Sequence, residues 1–388
     1  MTLSSFSRLT LTSPELLLHP ALLGIIFAMG ATIGSFLNVV IYRVPIGLSV
    51  NQPKRSFCPN CKTQIPFYYN IPLVSWLLLR GKCKWCGTRI AFRYFAVEFL
   101  TALLFLAVWK TTVVPMGVGA AIALCVFSSL LIAAIFIDID HFIIPESITL
   151  GGLVVGLVAA AVFPKLFGET THWRSLLLSL GGAAAGYGLI WSVVTLGKMA
   201  FGKMKREYTE AVHFEVSQPE GSEEPIIQLG EEKLPWTDVF FRPTDRLVIN
   251  GADFRFDGEV RGEPGATQLV AWAGKFDVGG ASIPLDEVLC VTGTCLKAEI
   301  PREAMGFGDV KFMAMIGAFL GWQAVLFTLF IASVVGAVVG VVQKTVGREE
   351  WARPLPFGPY LALGAFVWLF AGPVCVAWYL GLLHPGGG

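Results

Sequence analysis

Charge is what this chain has least of. Of its 388 residues only 15% are Asp, Glu, Lys or Arg, against 54% hydrophobic. A soluble globular domain carries about a quarter charged residues, so the composition argues against one and points to a chain that lives in lipid. Acidic residues are missing altogether from residues 42–97, where Arg43, Lys54, Arg55, Lys62, Arg80, Lys82, Lys84, Arg89 and Arg93 stand. No basic stretch followed by a small-residue cleavage site opens the chain, so the first apolar span is expected to be retained. A glycine-flanked serine turn, a Ser/His/Asp set, a nucleotide-binding fold and an internal repeat are also lacking. These gaps argue against a serine hydrolase and against a carrier built from related halves.

What is present is a series of apolar runs, at residues 16–41, 95–114, 118–137, 148–163, 176–196, 310–321, 324–342 and 360–383. Crossing a hydrocarbon core of ~30 Å at ~1.5 Å per residue takes about 20 residues. Run 310–321 is too short alone. It crosses if residues 305–308 and Trp322 contribute, or if it is a half-helix or part of one bent helix with the next run. The positive-inside rule makes residues 42–97 cytoplasmic and the N-terminus external. It also asks that loop 343–359, with Lys344, Arg348 and Arg353, be inside, which needs two crossings within 310–342. The expectation is an α-helical polytopic membrane protein of about eight transmembrane helices with an external C-terminus.

The expected divisions follow from these runs. Residues 1–41 are the external N-terminus and first transmembrane helix, 42–94 a basic cytoplasmic loop, and 95–201 transmembrane helices two to five. Residues 202–303 are an acidic, β-rich cytoplasmic insertion, and 304–388 carry helices six to eight. In the insertion, alternating pieces at 239–241, 246–249, 254–256 and 268–270 suggest strands, and residues 207–232 read as acidic and loose. Residues 203–302 hold 11 basic and 18 acidic side chains. That excess serves solubility, or it attracts a basic peptide.

Two pairs, Cys58-Pro-Asn-Cys61 and Cys83-Lys-Trp-Cys86, lie in the basic loop. Thiolates so spaced can fill adjacent corners of a tetrahedron, and two pairs close a structural Zn²⁺ site with no open position for catalysis. A reducing compartment disfavours disulfides there. Cys125 and Cys375 read as small core residues, and Cys290 and Cys295 could pair but are read as reduced.

Two carboxylates sit at the ends of apolar runs. Asp138 closes the third, and Asp309, within Gly306-Phe307-Gly308-Asp309-Val310-Lys311, opens the sixth. Antiparallel neighbours would bring both to one level. Paired carboxylates share a proton, which is what water activation in aspartic proteolysis requires. The plain alternative for Asp309 is a helix N-cap. Asp140 and Glu146 are expected to face water, and Glu98 to pair with Arg93. Glycine-rich faces such as 181–186 and 336–340 suit close helix packing.

In order along the chain, Gly34-Ser35-Phe36-Leu37-Asn38 through Arg43-Val44-Pro45, the two CxxC pairs, Arg93-Tyr94 with Glu98, Asp138 with Ile144-Pro145, and the Gly306–Lys311 motif together resemble the type IV prepilin peptidases of the GxGD aspartic class. The resemblance covers nearly the whole chain except residues 202–300. It implies a multi-pass bacterial inner-membrane enzyme, with its catalytic pair, Asp138 and Asp309, at the cytoplasmic side. Gly306, Gly308, Lys311 and Glu98 would support the motifs, and Cys58, Cys61, Cys83 and Cys86 would hold the metal. The implied substrates are prepilins and type II secretion pseudopilins, cut after a glycine; the implied partners include membrane lipid and no nucleic acid. It further implies N-methylation using S-adenosylmethionine, with Arg80-Gly81-Lys82 and Glu98 as the place resemblance gives it. Two departures stand out: Glu146 follows Ile-Pro where Asp or Asn is common, and the acidic insertion is atypical. An ion-coupled carrier and a zinc-dependent scaffold of a pilus or secretion assembly are the alternatives.

Overall fold

The computed structural model describes residues 13–52, 56–58, 60–201, 203–218, 224–240, 245–261, 263, 265–301, 306–346 and 356–383. It contains two compact units, Met1–Trp191 with Phe307–Gly388, and Ser192–Gly306.

The first unit is helical. Its long elements are α1 (Pro20–Arg43), α2 (Phe92–Met116), α3 (Val118–His141), α4 (Glu146–Val162), α5 (His172–Phe201, which runs on into the second unit), α6 (Phe307–Leu320), α7 (Trp322–Val346) and α8 (Gly358–Leu383). Among the described residues, five of these are long and apolar enough to cross a membrane: α1, α2, α3, α5 over His172–Gly197 and α7 over Trp322–Gln343. Helix α4 and the stretch Gly358–Gly372 of α8 are apolar but shorter.

Local sequence sets the ends. Proline occupies the first turn of α1, where its missing N–H costs nothing, and His19 Nδ1 accepts from Ala21 N at 3.3 Å. Phe142 stops α3 by turning left-handed at φ 55°, and Pro145 then caps α4. Gly321, at φ +84°, separates α6 from α7. Run 310–321 is therefore a helix of its own, 14 residues long, and not part of one bent helix with the next. Half of the expected basic loop after α7, residues 347–355, lies outside the described residues.

Helix α6 is the centre of the unit. Every residue from Asp309 to Phe319 except Lys311 is buried. Lipid supplies no hydrophobic drive between helices, so close backbone approach and interhelical hydrogen bonds must hold it. Helix α5 supplies both. Gly182 and Gly317 meet back to back, a Cβ added to either lying 2.2 or 2.1 Å from the other's carbonyl oxygen. One turn before Gly182 along α5, the Ser179 hydroxyl donates to Ala318 O at 2.6 Å. On another side α4 runs parallel to α6, with Gly152 against Met315 and Gly156 against Phe319. Helix α3 runs antiparallel to it, Phe127 stacking on Phe319 at 4.6 Å between centroids. Helices α1 and α2 form an antiparallel pair, fastened by Asn38 Nδ2 donating to Tyr94 O at 3.1 Å and Trp109 Nε1 to Leu17 O at 3.0 Å.

The second unit holds one eight-stranded antiparallel sheet: β1 (Lys203–Ser217), β2 (Ile226–Leu229), β3 (Glu232–Pro235), β4 (Arg246–Phe256), β5 (Gln268–Trp272), β6 (Lys275–Val278), β7 (Ala281–Pro284) and β8 (Cys290–Pro301), in the order β3-β2-β1-β8-β4-β5-β6-β7. Alternate residues such as Leu247 and Ile249, and Leu269 and Ala271, enter its core, the two-residue period of a sheet covered on one face. Trp236 lies over that core against Phe276 at 5.8 Å. Two segments differ from expectation. Residues 207–217 are not loose: they belong to β1, whose backbone pairs with β8. Of the piece at 239–241, Val239 is not in a strand but ends a short helix, Trp236–Val239, that Trp236 anchors to the core, and Phe241 lies outside the described residues. Cys290 and Cys295 are both reduced. Five residues apart on one strand, they point to opposite faces, and burial pushes the Cys295 thiol up to about 11.

The back-to-back glycines give a matched test. Gly181 has open space where its Cβ would be, whereas at Gly182 a Cβ meets backbone. Gly182→Ala should lower the thermal midpoint in detergent by the equivalent of about 1–3 kcal/mol of overpacking, while Gly181→Ala should leave it unchanged or raise it. Equal midpoints would remove the close-packing account of α6.

Candidate active site and candidate metal centre

Asp138 sits in the last turn of α3, and Asp309 in the first turn of α6. Both are buried, at 5% and 8% exposure. From the Phe127–Phe319 stack, Asp138 lies eleven residues onward along α3 and Asp309 ten residues back along α6. About 15–17 Å of rise along each antiparallel helix therefore brings both carboxylates to one level.

Ile144 marks that level from a third direction. A Cβ on Gly308 would lie 3.5 Å from Ile144 Cβ, and one on Gly358 3.0 Å from Ile144 Cδ1. Gly358, the first residue of α8, donates its N–H to Asp138 Oδ2 at 2.9 Å. A Cβ there would stand 2.7 Å from the same oxygen, so a side chain at this position would displace the carboxylate from the contact. Sequence reasoning missed Gly358, which is 220 residues from its partner. The only signal was a Gly-Pro pair opening an apolar run.

The neighbouring charges are arranged differently from expectation. Arg93 pairs with Asp140, not Glu98: its Nη1 donates to the two carboxylate oxygens at 2.8 and 2.6 Å. The guanidinium also lies over the Phe136 ring, 5.0 Å from its centroid. Asp140 is thus engaged, and the pair ties the start of α2 to the turn that carries Asp138. Glu146, one residue into α4, is ion-paired with Lys311 of α6. Although its side chain is largely exposed, it joins the two parallel helices beside Asp309. Glu98 instead accepts the Leu73 N–H at 2.7 Å.

The four loop cysteines come together with all their sulfurs within 4.8 Å of one another. Cys58 and Cys86 stand at 3.7 Å and Cys61 and Cys83 at 4.0 Å. Each pair sits on the same small hairpin. Cys58 N donates to Thr63 O at 3.0 Å and Cys83 N to Thr88 O at 2.8 Å, while Lys62 and Gly87, each four residues past the first cysteine, both turn at positive φ. The six-residue segments starting at Cys58 and Cys83 are therefore one motif used twice, a repeat too short to register in the sequence. The Thr88 side chain and backbone hold the Cys86 thiol down, to about 5. A cluster of this kind can hold a metal ion.

Residues 28–112 match the bacterial peptidase A24 N-terminal domain, and residues 125–206 and 270–341 match the type IV leader peptidase family. The unmatched residues 207–269 fall within the sheet unit. The chain is 29% identical over 383 residues to the prepilin leader peptidase/N-methyltransferase of Aeromonas hydrophila, covering 92% of this chain and 93% of that protein. Its identity to the protein of the same name from Myxococcus xanthus is 30% over 370 residues, covering 93% and 76%. That from Legionella pneumophila is 26% identical over 372 residues, covering 90% and 91%. No solved structure matches. By these matches, which take in both carboxylates and all four clustered cysteines, the chain belongs to the type IV leader peptidase family.

Proposed function

We infer that this protein is a membrane-embedded aspartic endopeptidase that removes the leader of type IV prepilins and N-methylates the residue so exposed. The carrying observation is two buried carboxylates, remote in the chain, at one level between Ile144 and the start of α8. Asp138 and Asp309 are the catalytic pair. Because Asp138 Oδ2 accepts the Gly358 N–H, Asp138 is the base: it takes a proton from water as the water oxygen attacks the peptide carbonyl. Asp309 gives its proton to the carbonyl oxygen. On collapse of the tetrahedral adduct Asp138 gives its proton to the leaving nitrogen as the C–N bond breaks, while one adduct hydroxyl returns a proton to Asp309, which restores the shared state. Gly308 leaves Ile144 room beside this centre, and the Lys311–Glu146 pair fixes α6 against α4.

In the bilayer we propose eight crossings, α4, α6 and α8 joining the five longer helices, with the basic loop and the sheet unit cytoplasmic. Three things support this orientation: the acid-free residues 42–97, the parallel course of α4 and α6, and the antiparallel course of α3. The pair then lies at the cytoplasmic boundary, where a pilin passes from a basic leader to an apolar helix and where water reaches most easily. Pseudopilins of type II secretion present the same chemistry and belong to the same substrate class.

Zinc is the proposed metal. Four thiolates at about 2.3 Å from a tetrahedral Zn²⁺ stand about 3.8 Å apart, close to the 3.7 and 4.0 Å separations of these sulfurs. S-adenosylmethionine is the proposed methyl donor, on the family's chemistry alone. The contacts of Glu98 and Gly81 are with the loop itself, at Leu73 N and the Trp76 ring. They do not fit a nucleoside cradle.

Purified enzyme in detergent, given a prepilin with its leader, tests the dyad. Asp138→Asn and Asp309→Asn should each slow cleavage by about 10²- to 10⁴-fold, and full cleavage by either variant refutes the pair. Gly358→Ala should lower kcat about tenfold or more with little change in KM, since a hydrogen bond to a charged group contributes about 1.5–3 kcal/mol. An unchanged kcat would remove Gly358 from the site. Metal analysis should give about one zinc per chain, with Cys83→Ser losing the metal and part of the thermal midpoint. A metal-free protein whose loop stays folded would count against zinc.

A further inference from the structure

Between the two cysteine hairpins the loop turns apolar. It forms a short turn, Phe67–Tyr69, and one turn of helix, Val74–Leu78. Its large side chains point outward: Phe67 is 81% exposed, Leu78 78% and Leu77 58%. Val74, Leu77 and Leu78 share one helix face by their spacing, while Ser75, off that face, is buried. A loop in contact with water alone would be built the other way round.

The height of this segment is fixed by α2. The Trp76 ring lies 5.6 Å from Phe92 and 5.3 Å from Phe95, and its Nε1 donates to Ile90 O at 3.3 Å. At the apex, Leu73 N reaches Glu98, six residues and about 9 Å inside the start of α2. Glu98 also packs against Gly34 of α1, nine residues and about 13 Å before that helix ends at Arg43. The apex is therefore level with the interiors of both flanking spans and not beyond their ends. Backbone at that depth must find its hydrogen bonds within the protein. It does: Ile71 N pairs with Ser75 Oγ at 2.9 Å, Pro72 has no N–H, Leu73 N has Glu98, and Val74 N has Pro72 O at 2.7 Å. Leu73 pays for this turn with a positive φ of 64°.

We propose that residues 66–78 dip into the boundary layer of the bilayer, with Phe67, Leu77 and Leu78 among the acyl chains of an anionic phospholipid. Trp76 and Glu98 hold the dip against α2. Arg80, Lys82 and Lys84 follow it at headgroup level, in a stretch with no acid to oppose them. The metal-binding hairpins are then seated on the membrane surface and not suspended from it. This inference does not depend on the catalytic roles of Asp138 and Asp309.

The test uses the full-length protein in nanodiscs of phosphatidylglycerol and phosphatidylethanolamine. A nitroxide is placed at position 78 or 67 on a non-cysteine amino acid, so the clustered thiols stay untouched, and a reference label is placed at Leu289, 83% exposed in the sheet unit. Labels at 78 and 67 should collide several-fold more with oxygen than with a water-soluble nickel chelate, and the label at 289 should show the reverse. A nickel preference at both 78 and 67, in proteins whose thermal midpoints are unchanged, overturns the proposal. Oxygen preference that develops only when a prepilin is added also overturns it, and makes the face a substrate-docking surface.

Discussion

A carboxylate within an apolar helical bundle persists only where its surroundings fix it, and the burial of α6 is the constraint from which the rest of this structure follows. Asp309 opens that helix, so its position is only as definite as the helix that carries it. Three neighbours define α6 along its length: α5 by glycine contact and the Ser179 hydroxyl, α4 by the Met315 and Phe319 contacts, and α3 by the Phe127 stack. Because α3 is among them, the same packing sets the level of Asp138. Two acids separated by most of the helical unit are held by one set of contacts.

Around this centre, charge is used sparingly and each use joins two helices. Arg93 and Asp140 join α2 to α3, Lys311 and Glu146 join α6 to α4, and Gly358 N joins α8 to Asp138. Isolated surface ion pairs contribute little to stability. Here their value is positional, since each lies within a few residues of one of the two carboxylates. The clustered cysteines fix a different region, closing the loop between α1 and α2 through a hairpin motif used twice.

How much of this was legible in the sequence depended on the distance over which the information acts. The cysteine spacing is local, and the four sulfurs converge as the two CxxC pairs demand. The helices were legible because apolar runs declare themselves, and the Gly321 break lay within the expected turn. Strand pieces at 246–249, 254–256 and 268–270 alternate and are strands; Val239 alternates in the same way but ends a helical turn, where Trp236 packs on Phe240 and Phe276. The partner of Arg93 was misassigned because Glu98, five residues away, competes on paper with Asp140, 47 residues away. Nothing in the sequence weighs those distances. Gly358 lay beyond reach for the same reason.

Helix α6 has one further consequence. At 14 residues it is about 21 Å long, well short of a hydrocarbon core of about 30 Å. A helix facing lipid would have to tilt or thin the bilayer to accommodate such a deficit. In the proposed eight-crossing arrangement that adjustment falls on the outer helices, because α6 is buried from Asp309 to Phe319 except at Lys311. In that arrangement the seat of Asp309 is insulated from acyl-chain length, and a cell that remodels its fatty acids with temperature would leave the acid where it stands.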